Sequence, residues 1–204
     1  DLLDAARELA PATPVLLFFE TAFFTALPPR ERHYALAQDA GISADADAQP
    51  PRRFGFHGLF HAPACAAAAR ELTARGAADE CGDKEISDGE ANPPARGARR
   101  AWRMISVCLE PRPEIAGVTG RRPVFVTSGA TPLEGLPGET SCGELDPSAP
   151  LLMREKLGWG PERINEALTR ESGLKALLGR PARLDEALDS DPGANSPLSK
   201  AGDF

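Results

Sequence analysis

Arg52-Arg53-Phe54-Gly55-Phe56-His57-Gly58 packs two glycines and three ring-bearing side chains into seven residues. Glycine inside a helix costs about 1 kcal/mol relative to alanine, so Gly55 and Gly58 argue against a helix running through His57. That bears on metal binding. His57, His61 and Cys65 are spaced i, i+4, i+8, and one continuous helix would align them as three zinc ligands. The two glycines count against that alignment. Read by itself, a single histidine among aromatics is a hydrogen-bonded structural residue.

Downstream of this stretch, residues 62–75 form an alanine-rich helix with Cys65, Ala69 and Leu72 on one side, and Gly76 is placed to end it. Residues 76–100 are polar and include Pro93-Pro94. They bury too little apolar surface to offset their ordering entropy and read as a disordered insertion. A run of β signals follows. Ile105, Val107 and Leu109 alternate with Ser106 and Cys108, then come residues 115–118 and 124–126, joined through the hairpin turn Thr119-Gly120-Arg121-Arg122. This predicts a three-stranded meander. Farther on, Pro161 suits a first helical position, Glu162 supports the positive helix end, Ile164, Ala167 and Leu168 make an inward stripe, and Gly173 stops the helix. Residues 189–204 read as a loose tail.

Upstream, residues 1–10 have the apolar spacing of a short amphipathic helix, and residues 14–19 read as a short buried strand. Residues 40–51 look like an exposed loop. The chain opens at Asp1 without a methionine and reads as a cut piece or processed product. The apolar run 15–19 is far shorter than the roughly 20 residues a membrane helix needs, so no membrane segment is expected. With 204 residues the chain is long enough for one large domain or parts of two. Its net charge of −7 and its isolated arginine pairs exclude a nucleic-acid surface. Four cysteines at irregular intervals, without a Cys-x-x-Cys pair, fit a reducing cytoplasm.

Several stretches occur in one order that resembles the acetate and propionate kinase family. Residues 2–9 are similar to the helix before the family's Phe-Asp-Thr-Ala-Phe, here Phe19-Glu20-Thr21-Ala22-Phe23, with Pro28 at the family's distance. Tyr34-Ala35-Leu36 matches Tyr-Ala-Leu, and Arg52 to Gly58 matches Arg-Arg-Tyr-Gly-Phe-His-Gly, with His61 at the second histidine. Thr131-Pro132-Leu133-Glu134-Gly135-Leu136 is identical to the family's segment. Gly143-Glu144-Leu145-Asp146-Pro147 resembles Gly-Asp-Ile-Asp-Pro, and Ser172-Gly173-Leu174 recurs in place.

The resemblance implies an α/β, actin-like fold of two related domains, incomplete here, with residues 1–20 ending the first domain and 21–188 supplying much of the second. It implies ATP-dependent phosphorylation of a short carboxylate such as acetate or propionate, with Mg2+, and a homodimer. The family's phosphate loop, first substrate arginine, adenosine loop and magnesium ligands fall outside the sequence. No nucleotide-binding or metal-binding residue is therefore assigned.

Residue by residue, the resemblance makes His57 a donor to the transferring phosphoryl group. It makes Phe56 and Pro132 the apolar wall around the acid's methyl end, although both residue types equally serve as plain packing. Glu20 stands at the family's catalytic aspartate, its extra methylene moving the carboxylate by about 1 Å; otherwise it is a solvated acid at a strand end. Ser141 stands where the family has a phosphoryl-bridging arginine, worth about three to five orders of magnitude in rate. Cys108-Leu109-Glu110-Pro111-Arg112 replaces His-Leu-Gly-Asn-Gly at the phosphate turn, where proline offers no N–H. Cys108 and Cys142 lack a neighbouring histidine base and are expected to be bystanders. Two functions follow: a carboxylate kinase with Glu20 and His57 as catalytic groups, or a catalytically inactive remnant serving as a structural or interaction module.

Overall fold

A computed structural model describes residues 2–36, 51–75, 102–109 and 112–188. The element order is α1 (Leu2–Leu9), a 3-10 turn (Ala22–Ala26), α2 (Pro29–Arg32), α3 (Gly58–Ala74), β1 (Arg103–Cys108), β2 (Glu114–Thr119), β3 (Arg122–Val126), α4 (Ser148–Leu157), α5 (Pro161–Arg170), α6 (Gly173–Leu178) and α7 (Leu184–Leu188). The expected insertion at 76–100, the tail at 189–204 and most of the loop at 40–51 lie outside the described residues.

The expected meander is present as a three-stranded antiparallel sheet in the order β1-β2-β3. Its second turn is the two-residue Gly120-Arg121 connection, with Thr119 paired to Arg122 and Gly120 at φ 62°. A glycine with positive φ at the first central position matches the twist of the flanking strands, which is why this dipeptide closes the hairpin.

Strand β1 turns its smaller side chains inward. Ser106 and Cys108 are buried, whereas Ile105 is 77% exposed and Val107 and Leu109 are exposed. The physical reason is His61, which is fully buried on α3 and needs a polar partner. Ser106 supplies it, with Oγ 2.8 Å from His61 Nδ1.

Helix α3 lies on this sheet, and with the 3-10 turn it closes a core of Phe24, Leu27, Cys65, Ala116, Val118 and Val126. A smaller core gathers Leu174, Ala182 and Ala187 under Leu178 and Leu184. Helix α3 begins at Gly58, four residues before the sequence suggested, and His57 is its N-cap. His61 and Cys65 therefore share a helix from which His57 is excluded. Gly173 has a different role from the one expected: α5 already ends at Arg170, and Gly173, at φ 62°, opens α6.

Residues 14–19 are not a buried strand. They are exposed and join no sheet, with Leu16 at 78% and Phe18 at 74% exposure. Helix α1 likewise buries none of its residues. An apolar run records a capacity for burial, which is realised only where another element covers it.

Candidate functional site

Gly55 and Gly58 fix the path of the Arg52–Gly58 segment through the space they leave empty. A Cβ on Gly55 would overlap the Phe24 ring, and one on Gly58 would overlap the Glu20 carbonyl oxygen and crowd the Phe23 Cβ. The chain can thus press against the 3-10 turn. Gly58 N–H donates to the Glu20 carbonyl at 3.1 Å, and Leu59 N–H donates to the Glu20 carboxylate at 3.1 Å. Glu20 thereby satisfies two of the free donors at the start of α3, where a negative charge is favoured.

On the other side of the segment sits Glu114, the first residue of β2. Its position in phase with Ala116 and Val118 points it into the core, and it is fully buried. One carboxylate oxygen accepts the Phe56 N–H at 2.9 Å and the other accepts the His57 N–H at 3.0 Å. His61 Nε2 stands 3.3 Å from Oε1, without a well-directed hydrogen bond of its own. Burial pushes the Glu114 carboxyl up, but the adjacent His61 imidazole and hydrogen bonds from Ser128, Phe56 and His57 outweigh it and hold it below the usual carboxylate range. Sequence reading assigned this residue no role. The available signal was the two-residue phase that places an acid among inward apolar positions.

Two of the segments that carry the sequence resemblance, 52–58 and 131–136, meet at a second junction. Arg53 Nη2 lies 2.6 Å from Glu134 Oε1, and Phe54 N–H donates to the Gly129 carbonyl at 2.9 Å. Tyr34 Oη donates to the other Glu134 oxygen and accepts the Ala130 N–H at 2.7 Å. Arg53 also lies over the Tyr34 ring, 5.5 Å from its centre. Burial, helped by the hydrogen bond to Glu134, pushes the Tyr34 phenol up to about 12. Arg53 and Glu134 come from opposite ends of the chain's middle half, and their carboxylate–guanidinium contact binds the 52–58 segment to the 131–136 turn.

Of the residues expected at the site, Glu20 and His57 meet at the first turn of α3. His57 is half-buried and its side chain does not cap the helix. Phe56 and Pro132 are each half-buried, in the two segments that the Arg53–Glu134 junction joins. Ser141 is only 4% exposed, with its carbonyl accepting the Gly138 N–H at 3.0 Å. Glu110 and Pro111 lie outside the described residues. Burial raises the thiols of Cys65 and Cys142, which keeps them protonated and poorly nucleophilic. A groove of about 790 Å³ runs between α3 and the β2–β3 turn, with Arg70 and Arg121 among its walls. A smaller one, about 340 Å³, lies between Phe60, Leu109 and Leu184. None of Glu20, Phe56, His57 and Pro132 lines either groove.

The acetokinase family profile matches residues 98–197, a span that includes the sheet, Glu114 and the 131–136 turn. The acetate kinase of Syntrophobacter fumaroxidans is 30% identical over 177 residues, covering 87% of this chain and 36% of that protein. Over these residues the chain is similar to the acetokinase family. Among solved structures, Porphyromonas gingivalis acetate kinase superposes with a TM-score of 0.73 at 26% identity, over 98% of this chain and 43% of that one. A propionate kinase from Francisella tularensis superposes at 0.72 with 23% identity, over 98% of this chain and 44% of that one. The fold is accordingly the actin-like α/β fold of these kinases, of whose length this chain spans less than half. No helix among the described residues is long and apolar enough to cross a membrane.

Proposed function

We propose that this chain supplies part of a carboxylate-kinase site that moves the γ-phosphoryl of ATP onto acetate or propionate, giving an acyl phosphate and ADP. The observation that carries the reading is the Glu114 clamp on the Phe56 and His57 amides, which fixes His57 one residue from the Glu20-capped helix start. An imidazole held in advance donates to charge as it develops on the phosphoryl oxygens, without reorganising at the moment of transfer. Glu20 orients the acid's carboxylate, and Phe56 and Pro132 provide its apolar wall. Residues 1–20 then end a first domain and 21–188 form much of a second, through which two copies associate. Among the described residues no three carboxylate, imidazole or thiol groups converge as a metal-ligand set, so no step is routed here through Mg2+.

Trapping acyl phosphate with hydroxylamine tests the reading directly, with acetate and propionate offered separately. The chain is expected to form hydroxamate in an ATP-dependent manner, and His57→Ala to lower the rate by about 10²–10³-fold. Equal rates in the two proteins, or no product with either acid, would reject the assignment. In the second case the chain is left as a structural or interaction module.

A further inference from the structure

We propose that the Phe56 and His57 amides, Ser128 and His61 form a seat for one small carboxylate, that Glu114 fills this seat from within the chain, and that its occupancy sets the position of His57. The proposal does not depend on the kinase reading. Each oxygen of Glu114 receives one backbone N–H, at 2.9 and 3.0 Å, so the group is gripped at two points rather than merely paired. Ser128 adds a hydrogen bond. His61, with no exposed surface, places Nε2 3.3 Å from the same carboxylate while Nδ1 is engaged by Ser106. An ionised carboxylate has about four acceptor sites, and four groups of the chain surround this one.

Such a donor set is costly to leave empty. Two part-buried N–H groups and a buried imidazole would each be left without the acceptor they now face. The chain meets that need with a residue on the sheet, far in sequence from the loop it holds. Glu114 acts on His57 only through the peptide, and is therefore a positioning residue. What separates glutamate from alanine beyond Cβ is a methylene and a carboxylate, the atoms of acetate. Glu114→Ala should thus open an acetate-sized vacancy lined by the original donors. Formate also fits, and propionate is too long by one methylene.

The test is thermal unfolding of the full chain and of Glu114→Ala and Glu114→Gln, in sodium acetate, formate, propionate or chloride at equal ionic strength. Both variants are expected to melt about 5–15 °C below the parent in chloride. Acetate and formate should restore half or more of the loss in Glu114→Ala, saturably, and propionate little. Glu114→Gln should not respond, because its amide occupies the seat and turns a donor toward a donor. Acetate bound as a substrate would instead stabilise all three proteins alike. If Glu114→Ala is unfolded in chloride, refolding it from urea in acetate against chloride reads the same effect. The chain has three histidines, so the His57 ring resonance can be followed by NMR. It should be displaced in Glu114→Ala and return as acetate saturates. No variant-specific recovery, recovery equal in chloride, or restored melting without return of the His57 signal would each overturn the proposal.

Discussion

Replacing Gly58 by alanine is expected to destabilise the chain by about 3 kcal/mol and lower its melting midpoint by about 6–12 °C. The added methyl would occupy the place of the Glu20 carbonyl oxygen on one side and press on the Phe23 Cβ on the other. A flexible side chain yields to such an intrusion, but a carbonyl anchored by the Gly58 N–H does not. Relief requires α3 to withdraw from the 3-10 turn, which breaks both Glu20 contacts and loosens the Phe23 and Phe24 packing. The loss matters because domains of this size are stable by only about 5–15 kcal/mol. Urea unfolding followed by circular dichroism checks it, and a variant within about 0.5 kcal/mol of the parent would show that the close approach is absent.

Ser141→Arg is expected to destabilise by about 3–5 kcal/mol and to leave hydroxamate formation no faster than in the parent. The site is the one at which the family resemblance places an arginine, so the substitution looks like a repair. In this chain, however, Ser141 is buried under the turn at Gly138, whose own Cα hydrogen lies against the serine hydroxyl. The same turn holds α6 through the Leu174 and Lys175 amides on the Gly138 and Glu139 carbonyls, at 3.0 and 2.9 Å. A buried guanidinium costs free energy unless it is paired, and to reach water it must force the turn open. Unchanged stability together with faster turnover would show instead that the turn is free to present the arginine.

The parts of this fold that were legible in the sequence are those decided by neighbours in the chain. Thr119-Gly120-Arg121-Arg122 specifies a hairpin because turn chemistry is local, and Pro161 marks the start of α5 because its fixed φ suits a first helical residue. Gly58 was legible as an interruption, although what it permits, contact with the Glu20 carbonyl, is a tertiary fact. Burial was less legible. Ile105 and Val107 outrank Ser106 and Cys108 in hydropathy, yet the buried His61 selects the face that offers a hydroxyl. Residues 14–19 have the composition of a strand but pair with none. Helix α4 escaped notice for the complementary reason: it buries no residue and so shows no apolar stripe, and only Gly158, left-handed at its C-cap, marks its end. Motif order put forward Glu20, Phe56, His57 and Pro132 as site residues. It missed Glu114, whose role depends on a loop distant in sequence, and the Arg53–Glu134–Tyr34 junction that holds the two motif segments together.

That junction gives the most direct test of the account. Tyr34 is the chain's one tyrosine, so phenol absorbance near 295 nm during alkaline titration reports on it without substitution. In an unfolded chain the phenol ionises near pH 10. Because the fold raises its pKa, Tyr34 contributes stability fully present below pH 10 and lost as pH climbs toward about 12. The account predicts that the phenol stays protonated past pH 11 and ionises near pH 12, or together with unfolding. Ionisation near pH 10 while the circular dichroism stays native would mean that Tyr34 stands in water, and that the 52–58 and 131–136 segments are not joined as described.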